Sequence, residues 1–193
     1  TDIELSKAER ENFTELINTN SDLLLNLIND ILDLSRIESG RMSFSFQQYS
    51  LNELISTIYQ TFQVLMPENV ELRMQIPEKS ISIPTDKLRL TQVITNFLSN
   101  AIKFTQKGYI LIGYEYREEG RHVHIFVEDT GIGIPKEKQD AVFNRFTKLD
   151  EFAKGTGLGL SICKVIAERF DEIGKGSRFS IILPLNPKHT ESD

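Results

Sequence analysis

Tryptophan is absent from this sequence, cysteine occurs once, and no apolar run approaches the roughly 20 residues that a membrane-spanning helix needs. A single cysteine, Cys163, excludes an internal disulfide and any site built on a cysteine cluster, and its setting reads as a small core residue. Positive charge is also scarce. Against 28 acidic residues stand 22 lysines and arginines, a net charge of -6, so no general surface for nucleic acid or anionic lipid is expected and any phosphate site must be local. The polar opening TDIELSKAER is not a signal peptide. What is present, 39% hydrophobic and 26% charged residues over 193 positions, fits a soluble globular chain with one domain of about 150 residues and an appendage.

The appendage is written in residues 6 to 40. Ser6 with Glu9 makes a capping box and Gly40 a stop, which predicts one helix of about 30 residues between them. Phe13, Ile17, Asn20, Leu24, Leu27, Ile31 and Leu34 alternate in steps of four and three, a heptad seam with one polar position. Leu16, Leu23, Ile28 and Leu32 widen it toward a bundle face. Such a helix is roughly 45 Å long, more than one small domain covers, and is expected to pack on other helices.

Arg41 to Tyr49 reads as a short strand and turn. Ser50 and Glu53 open a second helix whose apolar side is Leu51, Leu54, Ile55, Ile58, Phe62 and Leu65, closed by Pro67-Glu68-Asn69. Val70 to Ile76 and Ser80 to Pro84 are short strands. Tyr109 to Tyr116 and Arg121 to Glu128 form a hairpin around Glu118-Glu119-Gly120, with Val123, Ile125 and Val127 on one face. Gly157 to Phe170 is helical and Ser177 to Leu183 a closing strand. Helices and strands interleave without a strict βαβ rhythm, which predicts a mixed sheet with helices on one face.

The helix predicted from Asp86 to Phe104 carries two stripes. Leu90, Ile94, Phe97, Ala101 and Phe104 make the apolar one; Gln92, Asn96, Asn100 and Lys103 cluster more than about 100° away. Carboxamide oxygens suit Mg²⁺ and lysine suits phosphate, whereas a merely solvated face normally carries Glu and Lys pairs. Asp129-Thr130-Gly131-Ile132-Gly133-Ile134-Pro135 places a carboxylate at a strand end beside two glycines that allow close approach, with Pro135 suited to start a helix. Gly155-Thr156-Gly157-Leu158-Gly159-Leu160 precedes the last helix, where free amides and the helix dipole draw an anion. Between them, Phe143 and Phe146 are expected to anchor a mobile cover from which Lys148 and Lys154 reach a phosphate.

In this order, Gln92 to Thr105, Asp129 to Gly133, Phe143 to Phe146 and Gly155 to Leu160 resemble the N, G1, F and G2 boxes of the sensor histidine kinases of two-component signalling, hybrid type. These belong to the wider ATPase family that includes the Hsp90, MutL and gyrase B nucleotide domains. Leu27 to Gly40 is similar to the second helix of the kinases' dimerisation hairpin. The resemblance implies an α+β two-layer sandwich of the Bergerat ATP-binding type behind a long coiled-coil-like helix, divided at residues 1–40 and 41–193. It implies that Asp129 accepts a hydrogen bond from the adenine amino group, that Asn100 holds Mg²⁺ as the metal ligand, and that Lys103 meets the phosphates with Asn96 beside them, Asn100 and Lys103 being the catalytic pair. Gly131, Gly133 and Ile134 at the adenine side, Gly155, Thr156, Gly157, Leu158 and Gly159 at the phosphate side, and Ser177 before the last strand complete the implied ATP site. Function follows as transfer of the ATP γ-phosphoryl to a histidine for relay to a response regulator. Implied partners are a second copy through the N-terminal helix and a receiver domain, with no nucleic acid and no direct membrane contact, in the cytoplasmic part of a membrane sensor.

Two departures bear on that expectation. The family's acceptor histidine lies on a first dimerisation helix, but the three histidines here are His122 and His124, on the outer face of a hairpin strand, and His189 in the polar tail; all read as surface residues. The chain as given is expected to bind ATP without phosphorylating itself. Relatives also place a further strand after a segment like Ala167 to Phe170, while Asp171-Glu172-Ile173 is too short for one, which suggests about ten residues missing between Phe170 and Asp171. Two alternatives stand beside the kinase: another ATPase of the same superfamily, and a regulatory module or pseudokinase that binds nucleotide and transfers nothing.

Overall fold

The computed structural model describes residues 6–117, 122–139, 141–147, 156–170, 172–174 and 178–185. Helix α1 (Lys7–Glu38) begins at the capping box expected for it: the Ser6 hydroxyl accepts the Glu9 N–H while the Glu9 carboxylate accepts the Ser6 N–H at 2.8 Å. It ends before Gly40, which takes φ +66°. No residue of α1 is fully buried. Phe13, Ile17, Leu24 and Ile31 of the seam remain exposed, whereas Leu27, Leu34 and Ile37 lean on the core of the following domain.

Strand β1 (Gln47–Ser50) leads into α2 (Leu51–Gln63), followed by β2 (Val70–Gln75), β3 (Ser82–Thr85), α3 (Lys87–Phe104), β4 (Gly108–Arg117), β5 (His122–Asp129), α4 (Gly159–Phe170), β6 (Glu172–Gly174) and β7 (Arg178–Pro184). β1 and β3 pair antiparallel as a small separate sheet. The main sheet has the order β2-β4-β5-β7-β6, with β2 parallel to β4 and every other pair antiparallel. α2, α3 and α4 pack on one face of it, so the domain is the two-layer α+β sandwich the sequence implies. Leu90, Ile94, Phe97 and Ala101 of the apolar stripe are buried against Ile110, Ile112, Ile125 and Val127 of the sheet.

Several local expectations are corrected. β6 shows that the tract after Asp171 does form a strand: Glu172 to Gly174 pairs with Ile182 to Ser180, and the longer β7 supplies partners that three residues alone lack. Asp171 lies outside the described residues, as do Glu118-Glu119-Gly120 and His189. α2 stops at Gln63, so Leu65 falls out of helical phase and is 59% exposed. Pro135 precedes only a single 3₁₀ turn, Lys136–Lys138. His124 is not a plain surface residue, because its Nδ1 lies 3.3 Å from Glu115, which also accepts from Arg178 at 2.9 Å. Arg178 in turn sits 3.7 Å above the Phe126 ring and covers it, so this outer-face aromatic is buried as well.

Candidate nucleotide-binding site

Asp129 is the last residue of β5, and its Oδ1 accepts the Gly131 N–H at 2.9 Å. Gly131 is needed there for room: a Cβ would lie 2.3 Å from the Phe104 carbonyl oxygen. That same carbonyl accepts the Ile132 N–H at 3.3 Å, which ties the corner to the C-terminal end of α3. Partial burial raises the Asp129 pKa, with the Gly131 amide and the Thr105 hydroxyl holding it back. A desolvated carboxylate at a strand end, with one oxygen engaged by the backbone, gains most from an outside N–H donor.

The corner and the amide stripe of α3 border one cavity of about 650 Å³, a size suited to a small-molecule ligand. Asn96, Asn100 and Lys103 line it from α3, Asp129, Gly133 and Ile134 from the corner, and Thr156, Gly157 and Gly159 from the loop before α4. Lys103 Nζ also lies 4.9 Å from the Phe104 ring centroid, at the exposed rim. Gly159 opens α4 against Asn96: a Cβ there would stand 3.0 Å from Asn96 Oδ1. The positive end of a 12-residue helix therefore meets the Asn96 carboxamide directly, leaving a polar cradle that fits phosphate.

The loop is braced from the aromatic turn. The Phe146 N–H donates to the Gly157 carbonyl at 3.0 Å, and Gly157 takes φ +72° to present it. Phe143 is buried edge-on to Phe179 at 6.2 Å, and Phe179 stacks on Phe97 of α3 at 5.3 Å. Only Phe143 acts as the expected anchor, because Phe146 is 67% exposed.

Not every expected residue is on the cavity wall. Gly131 stands behind the corner. The Leu158 side chain is wholly buried in the core, so it offers the site only its backbone, and its N–H already donates to Thr156 Oγ1 at 3.2 Å. Gln92, one turn before Asn96, turns instead to α1: its Nε2 donates to Asp33 Oδ2 at 2.7 Å and its Oε1 accepts from Arg89 at 2.9 Å. Gly155, Ser177, Lys148 and Lys154 lie outside the described residues. Cys163 is buried in α4 and its thiol is pushed up to about 12 by burial, which makes it the inert core residue expected.

Helix α1 also contributes to the site, outside the motifs of the domain. Leu23, Asn26 and Asp30 line the same cavity, and Asp30 Oδ2 accepts from Thr156 Oγ1 at 2.7 Å. A signal existed, since Asp30 and Asp33 interrupt a helix face otherwise carrying Leu27, Leu34 and Ile37.

The family model for the histidine kinase-, DNA gyrase B- and HSP90-like ATPases matches residues 85–187, which hold the whole cavity wall except α1. The chain belongs to this ATPase family. As an ATP-binding catalytic domain of the histidine kinase type, it is 34% identical over 208 residues to hybrid signal transduction histidine kinase A of Dictyostelium discoideum, covering 96% of this chain and 10% of that protein. It is 36% identical over 187 residues to the sensor histidine kinase RcsC of Escherichia coli, covering 88% and 19%. The chain thus spans a minor part of the length of the curated relatives it matches. Among solved structures, full-length ShkA in complex with AMPPNP superposes with a TM-score of 0.78 at 26% identity, over 97% of this chain and 41% of that one. The catalytic domain of histidine kinase ThkA superposes at 0.64 with 30% identity, over 73% and 96%.

An ATPase domain implies Mg²⁺ with its nucleotide. Among the described residues no group of three or more His, Cys, Asp or Glu is placed to hold a metal. Asn100 and Asn96 fit instead a hard ion that arrives with phosphate and keeps most of its waters. No described helix is long and apolar enough to cross a membrane.

Proposed function

We propose that this chain is the ATP-binding part of a sensor histidine kinase and positions the γ-phosphoryl group of ATP for transfer to a histidine carried on another segment. The observation that carries this reading is the cavity itself, which has a desolvated carboxylate at one end and carboxamides, a lysine and a helix N-terminus at the other.

Asp129 accepts the adenine exocyclic amino group. Guanine, with an oxygen at that place, would set two acceptors face to face, at a cost of about 1 to 3 kcal/mol or more for a charged group. Lys103, Thr156 and the amides at the start of α4 meet the phosphates. Asn100, with Asn96 beside it, would hold Mg²⁺, which would supply positive charge to the phosphates. The unprotonated imidazole nitrogen of the acceptor attacks the γ phosphorus, the bond to the bridging oxygen breaks, ADP leaves with that electron pair, and the proton on the ring's other nitrogen passes to solvent. Phosphoryl transfer asks the protein chiefly to position groups and neutralise charge, and these residues do that for the donor alone.

Among the described residues the histidines are His122 and His124 of β5, on the sheet face opposite α3, which supports an acceptor carried on a different segment. The exposed seam of α1 supports a homodimer formed through this helix, residues 1–40 serving dimerisation and 41–193 catalysis. ThkA, whose catalytic domain this chain resembles, is also known in complex with the response regulator protein TrrA, which supports a receiver domain as the next phosphate acceptor, on the cytoplasmic side of a sensor. The test is to add ATP and Mg²⁺ to this chain with a separate helical hairpin bearing the acceptor histidine. Acid-labile phosphate on the hairpin supports the proposal; nucleotide binding without transfer favours a regulatory module.

A further inference from the structure

Three acids of α1 hold three different elements that border the nucleotide site. Asp30 holds Thr156 of the loop before α4 at 2.7 Å. Asp33 holds Arg89 at 3.1 Å and Gln92 at 2.7 Å, both on α3. Glu38 pairs with Arg145 of the aromatic turn. Asp33 and Arg89 are nearly covered, with 14% and 10% of their side chains exposed, so this is a docked interface rather than a set of surface contacts.

Asp30 differs from the other two because it also lines the cavity. Its partner Thr156 lies three residues before Gly159, the first residue of α4, and the Thr156 oxygen accepts the Leu158 N–H. An α1 carboxylate therefore stands where a helix N-terminus draws an anion. The triphosphate end of a nucleotide is drawn to the same place, and two anions there repel each other in a partly desolvated setting. We propose that Asp30 is a nucleotide-sensing latch: it holds Thr156 and docks α1 beside the cavity, and the phosphates of ATP compete with it for that place, so that nucleotide binding loosens α1 from the domain. Partial burial, which raises the Asp30 pKa, agrees with a carboxylate held at a cost that a competing anion relieves. The latch rests on the nucleotide reading of the cavity and adds its coupling to α1. Coupling of this kind is reciprocal: if ATP weakens docking, docking weakens ATP.

Asp30→Asn keeps an oxygen for Thr156 but removes the charge, so folding is retained. Binding of ATP with Mg²⁺ and of adenosine is measured for both proteins by calorimetry, and hydrogen exchange across residues 27–38 is followed with and without ATP. Asp30→Asn is expected to bind ATP at least about fivefold tighter while adenosine changes by less than about twofold, and ATP is expected to speed exchange in α1 of the unaltered chain. If the unaltered chain binds ATP but Asp30→Asn leaves the affinity unchanged or weaker, or tightens both ligands equally, the latch is wrong and the nucleotide reading stands. Slower exchange in α1 with ATP also overturns the latch. Failure of the unaltered chain to bind either ligand overturns both.

Discussion

Arg89 Nη1 lies 3.1 Å from Asp33 Oδ1, an ion pair that joins two helices 56 residues apart in sequence and from which water is largely excluded. Removing one member leaves the other charged and poorly solvated. Arg89→Ala is expected to destabilise the chain by about 3 kcal/mol, a loss that falls on docking of α1 as well as on the start of α3. Thermal unfolding measures the total, and faster hydrogen exchange in residues 27–38 locates it.

The corner after β5 gives a sharper steric prediction. A methyl group on Gly131 would sit 2.3 Å from the Phe104 carbonyl oxygen, so Gly131→Ala must push the corner off α3. Overpacking against backbone costs about 1 to 3 kcal/mol, and adenine binding should fall with it because Asp129 moves. Denaturant unfolding together with nucleotide titration separates the two effects.

Asp129 should show opposite effects on stability and on binding. Its pKa is raised chiefly by burial, so its contribution to stability is present below the ordinary carboxylate range and is lost as pH rises through its raised folded-state value. At neutral pH the ionised group therefore works against the fold. Asp129→Asn is expected to melt no lower than the unaltered chain at pH 7 yet to bind ATP at least about tenfold more weakly, since the amide offers a poorer acceptor. Protonation of Asp129 should likewise weaken ATP binding in acid, beginning at a higher pH than for an exposed aspartate.

At the phosphate end, Asn100→Asp adds a charge where a neutral oxygen ligand is expected. Transfer to an added acceptor hairpin should fall by about tenfold or more and its Mg²⁺ dependence should shift, while adenosine affinity stays within about twofold. Rates measured across a Mg²⁺ series check it.

Much of the site was legible because its chemistry is local in sequence. Asn96 and Asn100 are one turn apart, and Asp129 to Gly133 and Thr156 to Gly159 are short tracts, so spacing alone placed them on a helix face, a strand end and a helix start. Gln92 fits the same periodic stripe yet serves α1, because a helix is straight and the cavity covers only its second half. The role of Asp30 is not legible for a different reason: its partner Thr156 is 126 residues away, and no periodicity encodes a contact across that distance. Phe126 lies on the outer face by alternation but is buried by Arg178, a cation–aromatic pairing between strands that the pattern of either strand alone cannot show.

The central claim is that one side of α3 and the Asp129 corner enclose an adenine nucleotide. It is tested most directly by backbone amide NMR of the isotope-labelled chain titrated with ATP and Mg²⁺. Large shifts clustered at Asn96, Asn100, Gly131, Gly133, Gly157 and Gly159 are the predicted result; shifts confined to other surfaces, or none at millimolar ATP, would contradict it.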